Sequence, residues 1–286
     1  MIRCHEDPAM FVEALHFTAA DTLFPARLIE KDYFCSVLLD YLAARDGSLA
    51  FKGGTCLTKV YAGFYRLSED LDFAISTAVD TSRRERSHLA ANVKDAVAAL
   101  PAALPGFRIV EPLEGANNST QYIGIVAYTS LLNRQEETIK IEVGLREPLL
   151  QPVTNGSAET ILRNPITNEP MVEAIRPRCI SKMEAFAEKF RAALSRREVA
   201  IRDFFDIDYA VRTLGLQPQD ADMVRIVKSK LAVPGNEPVN VSPERLGTLR
   251  QQLDTQLKPV LRDKDFYEFD LERAFRVVAE MGRRVR

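Results

Sequence analysis

The stretch FKGGTCLTKVYAGFYRLSEDLDF, residues 51–73, constrains the fold more than any other part of the chain. The residues before Gly53 and Gly54 are typical of a short strand, which the two glycines end. The segment after them can begin a helix at once, with Thr55 as its predicted cap. The sequence DLDFAIS, which starts at Asp70, indicates a second strand. The stretch therefore predicts a strand, a tight turn, a helix and a second strand in immediate succession.

The two aspartates of this second strand are the first chemical signal. Residues i and i+2 of a strand point the same way, so Asp70 and Asp72 share one face while Leu71 and Phe73 face the core. Adjacent carboxylates repel each other unless a cation lies between them, and magnesium favours oxygen ligands of this kind. A solvated strand edge gives the same pattern, so the pair alone leaves both interpretations open.

A third carboxylate lies far along the chain, in the segment TIKIEVG. Its apolar residues Ile139, Ile141 and Val143 alternate with Lys140 and Glu142, which indicates a strand with Glu142 on its polar face. If this strand pairs beside the first, three carboxylates converge, as two-metal phosphoryl transfer requires. The alternative for Glu142 is an ordinary exposed strand residue.

The glycine turn adds a possible phosphate site. Gly53, Gly54 and Thr55 between a strand and a helix allow backbone N–H groups to approach a phosphate at the positive end of the helix dipole. Most Gly-Gly pairs are simply turns. A turn of this kind followed by a helix and then a D-x-D strand is more specific, and that order of parts resembles the polymerase-β-like nucleotidyltransferase fold.

Five segments in order extend the resemblance to a particular family. They are LIEKDY, FKGGTCLTKVY, RLSEDLDF, IKIEV and EAFAEKFRAALSRREVAIRDFFDIDYA, and the resemblance that they carry covers about residues 28–215. The chain resembles the nucleotidyltransferase AbiEii/AbiGii toxin family. This implies an α/β (α+β) fold, with a polymerase-β-like nucleotidyltransferase core and a C-terminal helical domain. We expect residues 1–170 to form the core with N-terminal helices, and residues 171–286 to form a helical domain that completes the active site.

The resemblance also implies an activity. Members are toxins of toxin–antitoxin or phage-defence systems that use an NTP and a divalent metal, Mg²⁺ or Mn²⁺. The MenT toxins among them add nucleotides to the 3′ acceptor end of tRNA and so block translation. The expected partners are therefore a cognate antitoxin, typically encoded next to the toxin, and tRNA or another RNA acceptor.

Site residues follow from the resemblance, position by position. It implies that the metal is held by Asp70, Asp72 and Glu142. It implies that these three act in catalysis with Lys189, at the A-E-K position, and Asp206, in the R-D-x-x-D helix. The residues implied in nucleotide binding are Lys52, Gly53, Gly54, Thr55, Arg66 and Ser68.

The helical half of the sequence has its own pattern around Lys189. The apolar residues Ile180, Met183, Phe186, Phe190 and Leu194 form one stripe, and Lys189 lies on another face. Asp203 and Asp206, three residues apart, share a helix face and one of them could orient Lys189 or Arg202. The alternative for these aspartates is an ordinary helix salt bridge.

Composition sets limits on partners and compartment. The net charge of −2 gives no reason to expect nucleic acid, so an RNA site would need a local basic patch. Candidates for such a patch are residues 83–86, residues 191–202 and the final RRVR. No apolar run is long enough to span a membrane, and the four cysteines are scattered. We therefore expect a cytoplasmic protein with reduced thiols.

Two alternatives to an RNA-modifying toxin remain open from the sequence. The same fold could transfer the nucleotide to a protein hydroxyl or a small molecule, which the net charge also permits. A binding module that kept the fold and lost the chemistry is the other alternative, although every expected carboxylate is present.

Overall fold

The computed structural model describes residues 2–286 and divides into two units. The first unit runs to Ile180 and the second spans Ser181–Arg286. A mixed seven-stranded sheet lies in the first unit, whereas the second is built from helices. The expected α/β fold with a helical C-terminal part is confirmed.

The sheet has the strand order β3-β4-β5-β2-β1-β7-β6. Its strands are β1 (Ala50–Lys52), β2 (Leu71–Ala74), β3 (Phe107–Ala116), β4 (Gln121–Thr129), β5 (Glu136–Gly144), β6 (Thr154–Asn155) and β7 (Arg178–Cys179). The strand β2 lies at the centre, antiparallel to β1 and parallel to β5. The two strands predicted to carry carboxylates are therefore direct neighbours.

Strand register brings polar residues together across the centre of the sheet. Lys52 of β1 pairs with Asp72 of β2, and Asp72 pairs with Glu142 of β5. Residues paired in this way project from the same face of a sheet. The apolar residues that alternate with them, such as Phe73 and Ile141, are buried at the opposite face. One face of these strands is therefore apolar and buried, and the other carries the polar residues Lys52, Asp72 and Glu142.

Helices cover the apolar face of the first unit. They are α1 (Pro8–Thr22), α2 (Ala26–Arg45), α3 (Gly53–Cys56), α4 (Arg83–Leu89), α5 (Ala91–Ala98) and α6 (Leu100–Ala103), with a 3₁₀ turn at Cys4–Glu6 and a π-helix at Leu57–Ala62. The helix α2 is buried over most of its length, and its Phe34 stacks on Tyr128 of β4 with ring centroids 3.9 Å apart. Helix α2 and the sheet therefore share one hydrophobic core.

Two helical segments of the first unit are interrupted. Residues 8–45 form two helices, because Leu23 adopts a left-handed conformation (φ 64°) after α1 and Pro25 precedes α2. The segment from Thr81 to Leu100 is divided at Ala90 into α4 and α5, and α6 follows.

The second unit is a set of packed helices. They are α7 (Lys182–Ser195), α8 (Ile201–Thr213), α9 (Ala221–Leu231), α10 (Pro243–Gln252), α11 (Asp263–Glu268) and α12 (Leu271–Val285), with a π-helix at Leu253–Leu257 and a 3₁₀ turn at Lys258–Val260. Phe186 and Phe190 of α7 are buried together with Phe204 of α8 and Val278 of α12. The predicted apolar stripe of α7 thus lies in the core of this unit. Among residues 2–286, no helix is both long enough and apolar enough to cross a membrane.

Candidate active site

The Gly-Gly turn is shaped by the side chains that press against it. Gly53 has φ 73°, and a Cβ atom built on it would lie 2.1 Å from Oδ2 of Asp72. A Cβ on Gly54 would lie 2.6 Å from Nη2 of Arg66 and 3.0 Å from Oγ of Ser68. Both glycines are required, because real Cβ atoms do not approach other atoms this closely. The turn and the Asp72 carboxylate are therefore in direct contact.

Thr55 connects the Gly-Gly turn to the segment that begins β2. Its side chain is buried, and its hydroxyl donates a hydrogen bond to the backbone carbonyl oxygen of Asp70. The residue that precedes α3 as its N-cap is Lys52, so the prediction of Thr55 as the cap was wrong. The hydroxyl instead fixes the distance between the helix start and the residue that begins the D-x-D pair.

The three predicted carboxylates lie on one face of adjacent strands. Asp72 and Glu142 are register partners, and Asp70 directly precedes β2. Lys140 lies among them, with its Nζ 3.3 Å from Oε2 of Glu142 and 3.9 Å from Oδ2 of Asp70. This ammonium group partly balances the negative charge of the cluster.

The pKa values of Asp72 and Lys140 are perturbed. Burial raises the pKa of Asp72 to about 6, with a further contribution from the charge of Glu142 that Lys52 and Lys140 oppose. Burial by itself would lower the pKa of Lys140, but the neighbouring carboxylates, Glu142 first, outweigh it and raise that pKa. Perturbed pKa values of this kind are concentrated at functional sites. The cluster therefore carries negative charge that its two lysines do not fully compensate.

The donor set suits a divalent metal ion. Within residues 2–286, no three Asp, Glu, His or Cys side chains lie close enough together to hold a metal ion as they stand. The available donors are carboxylate oxygens, which Mg²⁺ and Mn²⁺ prefer, and the raised pKa of Asp72 indicates that a further cation would be stabilising there. The chemistry of Asp70, Asp72 and Glu142 thus fits the metal that the sequence implied.

Arg66 and Ser68 lie beneath and beside the turn. The Arg66 side chain is buried, and its Nη1 donates to the carbonyl oxygen of Leu67 at 3.1 Å. In this structure Arg66 therefore supports the Gly54 backbone, and its contact with a phosphate stays a prediction. Ser68 is partly exposed, with its hydroxyl also against Gly54.

The predicted residues of the second unit form a cluster of their own. Nζ of Lys189 lies 2.8 Å from Oδ1 of Asp203 and 2.9 Å from Oδ2 of Asp206. Asp206 is fully buried, whereas Lys189 keeps part of its side chain exposed. Both aspartates therefore hold the lysine, as their spacing on one helix face permits. What Lys189 and Asp206 contribute to the reaction stays a prediction.

The structure adds two lysines that the sequence alone did not assign to the site. Lys140 precedes Glu142 by two residues, so the strand alternation already indicated that both lie on one face. Lys59, in the π-helix, is buried with its Nζ 2.6 Å from Oδ1 of Asp32 and 2.8 Å from Oγ of Ser36 in α2. Only the structure reveals the ion pair between Lys59 and Asp32, which connects the π-helix after the Gly-Gly turn to α2.

The arrangement of turn, carboxylates and sheet is that of a nucleotidyltransferase, and comparison with known proteins supplies the family. The sequence model of the family described as nucleotidyl transferase AbiEii toxin, type IV toxin–antitoxin system, matches residues 37–280. That range covers most of the chain, so the chain belongs to the AbiEii family of nucleotidyltransferase toxins of type IV toxin–antitoxin systems. An antitoxin partner follows from membership of such a system.

Two solved structures from Helicobacter pylori share the fold. A Helicobacter pylori protein described as a candidate nucleotidyltransferase is 17% identical, with a TM-score of 0.53, and the similarity covers 92% of this chain and 96% of that one. JHP933, also from Helicobacter pylori, is 18% identical with a TM-score of 0.52, over 92% of this chain and 93% of that one. MenT4, a nucleotidyltransferase toxin from Mycobacterium tuberculosis H37Rv, is 18% identical with a TM-score of 0.41, over 95% and 99%. A search of the curated proteins found no match to the chain.

Proposed function

We propose that this protein transfers a nucleoside monophosphate from an NTP to the 3′ end of an RNA, and that the acceptor is the 3′ end of tRNA. Loss of a free acceptor end would prevent aminoacylation and block translation. The observation that carries the proposal is the contact between the Gly53 turn and the Asp72 carboxylate, with Glu142 in register beside it. A phosphate-binding turn and a set of metal-binding groups thereby share one end of one sheet.

The roles of the residues follow from this geometry. The backbone N–H groups at the start of α3 would bind the triphosphate, because they lie at the positive end of a helix and have no Cβ atoms in front of them. Asp70, Asp72 and Glu142 would hold Mg²⁺ or Mn²⁺, which when bound neutralises phosphate charge and lowers the pKa of the attacking hydroxyl. Lys52 and Ser68 would contact the phosphates as well.

The proposed reaction is an in-line substitution at phosphorus. The 3′-hydroxyl oxygen of the RNA forms a bond to the α-phosphorus as the bond between the α-phosphorus and the bridging oxygen breaks. Pyrophosphate leaves with the electron pair, and a carboxylate of the cluster or a water molecule accepts the hydroxyl proton. We propose that Lys189, held by Asp203 and Asp206, stabilises the charge that develops on the transferring group. The cognate antitoxin, which we expect to be encoded next to this protein, would prevent this reaction.

A transfer assay tests the proposal. The full-length protein is incubated with Mg²⁺, total tRNA and each of the four α-labelled NTPs in turn. We expect label in the tRNA with at least one NTP, and about a thousandfold less with Asp70→Asn or Asp72→Asn. Asp95→Asn, which removes an exposed carboxylate of α5, is the matched control and should transfer label normally.

Other outcomes of this assay would redirect or refute the proposal. Label in a protein or a small product, with none in tRNA, would replace the RNA acceptor with another one. Failure to transfer label from any NTP, by protein that arrests growth in cells, would refute the RNA substrate. Toxicity that survives Asp70→Ala and Asp72→Ala would show that the protein acts without this chemistry.

A further inference from the structure

An arginine-lined cavity lies wholly within the second unit. Its volume is about 720 Å³, and its walls include Arg196, Arg197, Arg245 and Arg286 together with Glu237 and Ser242. Arg196 is paired outside the lining, with its Nη1 3.3 Å from Oδ2 of Asp203, and the four guanidinium groups share one side-chain carboxylate among the lining residues. That carboxylate is already engaged, because Oε1 of Glu237 lies 3.2 Å from Nη2 of Arg197.

Arg245 is the most unusual of these arginines. It is only 8% exposed, and its Nη2 donates to the carbonyl oxygens of Ala193 and Arg196 at 3.1 and 2.9 Å, at the C-terminal end of α7. Its Nε is buried and has no hydrogen-bond partner, and the nearby carboxylate of Asp203 forms its ion pairs with Lys189 and Arg196 instead. Burying a charged group without a counter-ion in direct contact is costly. An anion in the cavity would supply the charge that this site lacks.

The surroundings of Arg245 add to the positive potential of the cavity. Ser242 caps helix α10, ten residues long, and accepts a hydrogen bond from the backbone N–H of Arg245. The positive end of the helix dipole therefore points toward the same space. Residues 181–286 carry 20 basic and 17 acidic side chains, so this unit has a net charge of +3 although the whole chain has −2.

The lining indicates what kind of anion fits. Its apolar members are Pro238, Val239 and Val241, and none of its residues is aromatic. Proteins that recognise bases in single strands stack them on aromatic rings, whereas arginine side chains recognise phosphates through charge-assisted hydrogen bonds. Arg197 is also largely exposed, with 85% of its side chain accessible, so the cationic surface extends outside the cavity. An extended cationic surface fits a phosphate of a nucleic-acid strand that runs across the protein better than it fits an enclosed mononucleotide.

We infer that this cavity binds a backbone phosphate of the acceptor RNA, with Arg245 at its base and Arg197 and Arg286 at its rim. The choice of RNA rests on the proposed function, whereas the anion site rests on the cavity itself. Contacts with the phosphate backbone position an RNA without reading its sequence. The site would therefore position the acceptor strand without selecting for its base sequence.

RNA binding without nucleotide tests the inference. A fluorescein-labelled acceptor-stem RNA is titrated with full-length protein at several KCl concentrations, and its anisotropy is followed. The test variant Arg197→Glu/Arg286→Glu leaves the buried Arg245 intact, so the end of α7 keeps its hydrogen bonds. The control Arg225→Glu/Arg276→Glu makes the same charge change at exposed arginines of the same unit that do not line the cavity.

The inference predicts a difference between these two variants. We expect the test variant to bind RNA at least about tenfold more weakly, while the control changes Kd less than about threefold. The slope of log K against log[KCl] should also become shallower in the test variant, by the amount expected for the loss of about two phosphate contacts. Equal weakening by both variants, or by neither, would overturn the inference. Circular dichroism and thermal unfolding establish that both variants are folded.

A second arm separates the sources of phosphate. Titration with inorganic phosphate and with ATP measures whether the same substitutions weaken a free anion instead. Loss of ATP or phosphate binding with unchanged RNA binding would overturn the assignment to RNA. The binding assay needs no NTP, so its result is independent of the transfer assay. A protein that fails to transfer nucleotide can still show RNA binding at the cavity, and a protein that transfers nucleotide can still lack it.

Discussion

Two constraints favour glycine at position 53. Its φ is positive, and the carboxylate of Asp72 occupies the space that a Cβ atom would need. We predict that Gly53→Ala reduces nucleotide transfer by at least about a hundredfold, because the new Cβ displaces Asp72, and that the left-handed conformation costs about 1–2 kcal/mol of folding free energy. Transfer rates and thermal unfolding measure the two effects separately.

Gly63 is the matched control for this prediction. It has φ 67°, and a Cβ atom built on it would meet no heavy atom within 4 Å, so Gly63→Ala should cost similar stability and leave transfer largely intact. Equal loss of activity in both variants would mean that backbone strain, and not the contact with Asp72, explains the effect.

Asp72 also makes a prediction about stability. Its pKa is raised to about 6 from the ordinary value near 3.8, so the folded state prefers the protonated form. The contribution of this group to stability is therefore full below about pH 4 and is lost as the pH rises through 6. In EDTA at pH 7.5, Asp72→Asn should therefore be more stable than the natural protein, by about 1–3 kcal/mol in the free energy of unfolding. Its unfolding temperature should be correspondingly higher.

The pH dependence of that difference is diagnostic. The stability gap between Asp72→Asn and the natural protein should grow from about pH 4 to about pH 6 and stay constant above pH 7. A variant that is less stable at every pH would contradict the proposed uncompensated charge.

At the scale of elements, β5 contributes Lys140 as well as Glu142. The ammonium group lies close to two of the carboxylates that we expect to bind metal. Lys140→Gln should therefore lower the Mg²⁺ concentration at half-maximal transfer several-fold, because a competing positive charge is removed. Lys140→Arg keeps the charge and should leave this concentration near that of the natural protein. An unchanged or higher Mg²⁺ requirement in Lys140→Gln would show that Lys140 does not compete with the metal.

The π-helix is held to α2 by a buried ion pair between Lys59 and Asp32. Thr160 and the backbone N–H of Ile161 complete the hydrogen bonds of Asp32. Lys59→Met would leave that carboxylate buried without its cation, and we expect a loss of about 3–5 kcal/mol in urea unfolding. The exposed Lys94→Met should change stability by less than about 0.5 kcal/mol. Similar stabilities for the two variants would contradict a structural role for the pair.

The elements differ in how far the sequence could specify them. Alternation of apolar and polar residues predicted β2 and β5, and it predicted which face of each holds the carboxylates. It could not predict that β2 lies between β5 and β1, since strand order and register depend on contacts far apart in sequence. The π-helix and the Lys59–Asp32 pair have no local signal, because both arise from the packing of α2 against the helix that follows the turn.

At the scale of the whole molecule, charge is distributed unevenly along the chain. Residues 1–180 carry 18 basic and 23 acidic side chains, a net charge of −5, and residues 181–286 carry +3. The overall value of −2 conceals this difference, so the composition alone could only require a local basic patch. The cavity around Arg245 needed the structure, because its four arginines come from three separate segments of the second unit.

The central claim is that the carboxylates beside the Gly53 turn direct transfer of a nucleotide to the 3′-hydroxyl of an RNA. The most direct measurement compares label transfer from an α-labelled NTP to intact tRNA and to tRNA whose terminal diol has been oxidised with periodate. We predict transfer by the natural protein to the intact tRNA only, and none above background by Asp72→Asn. Equal labelling of the oxidised tRNA, or undiminished transfer by Asp72→Asn, would contradict the claim.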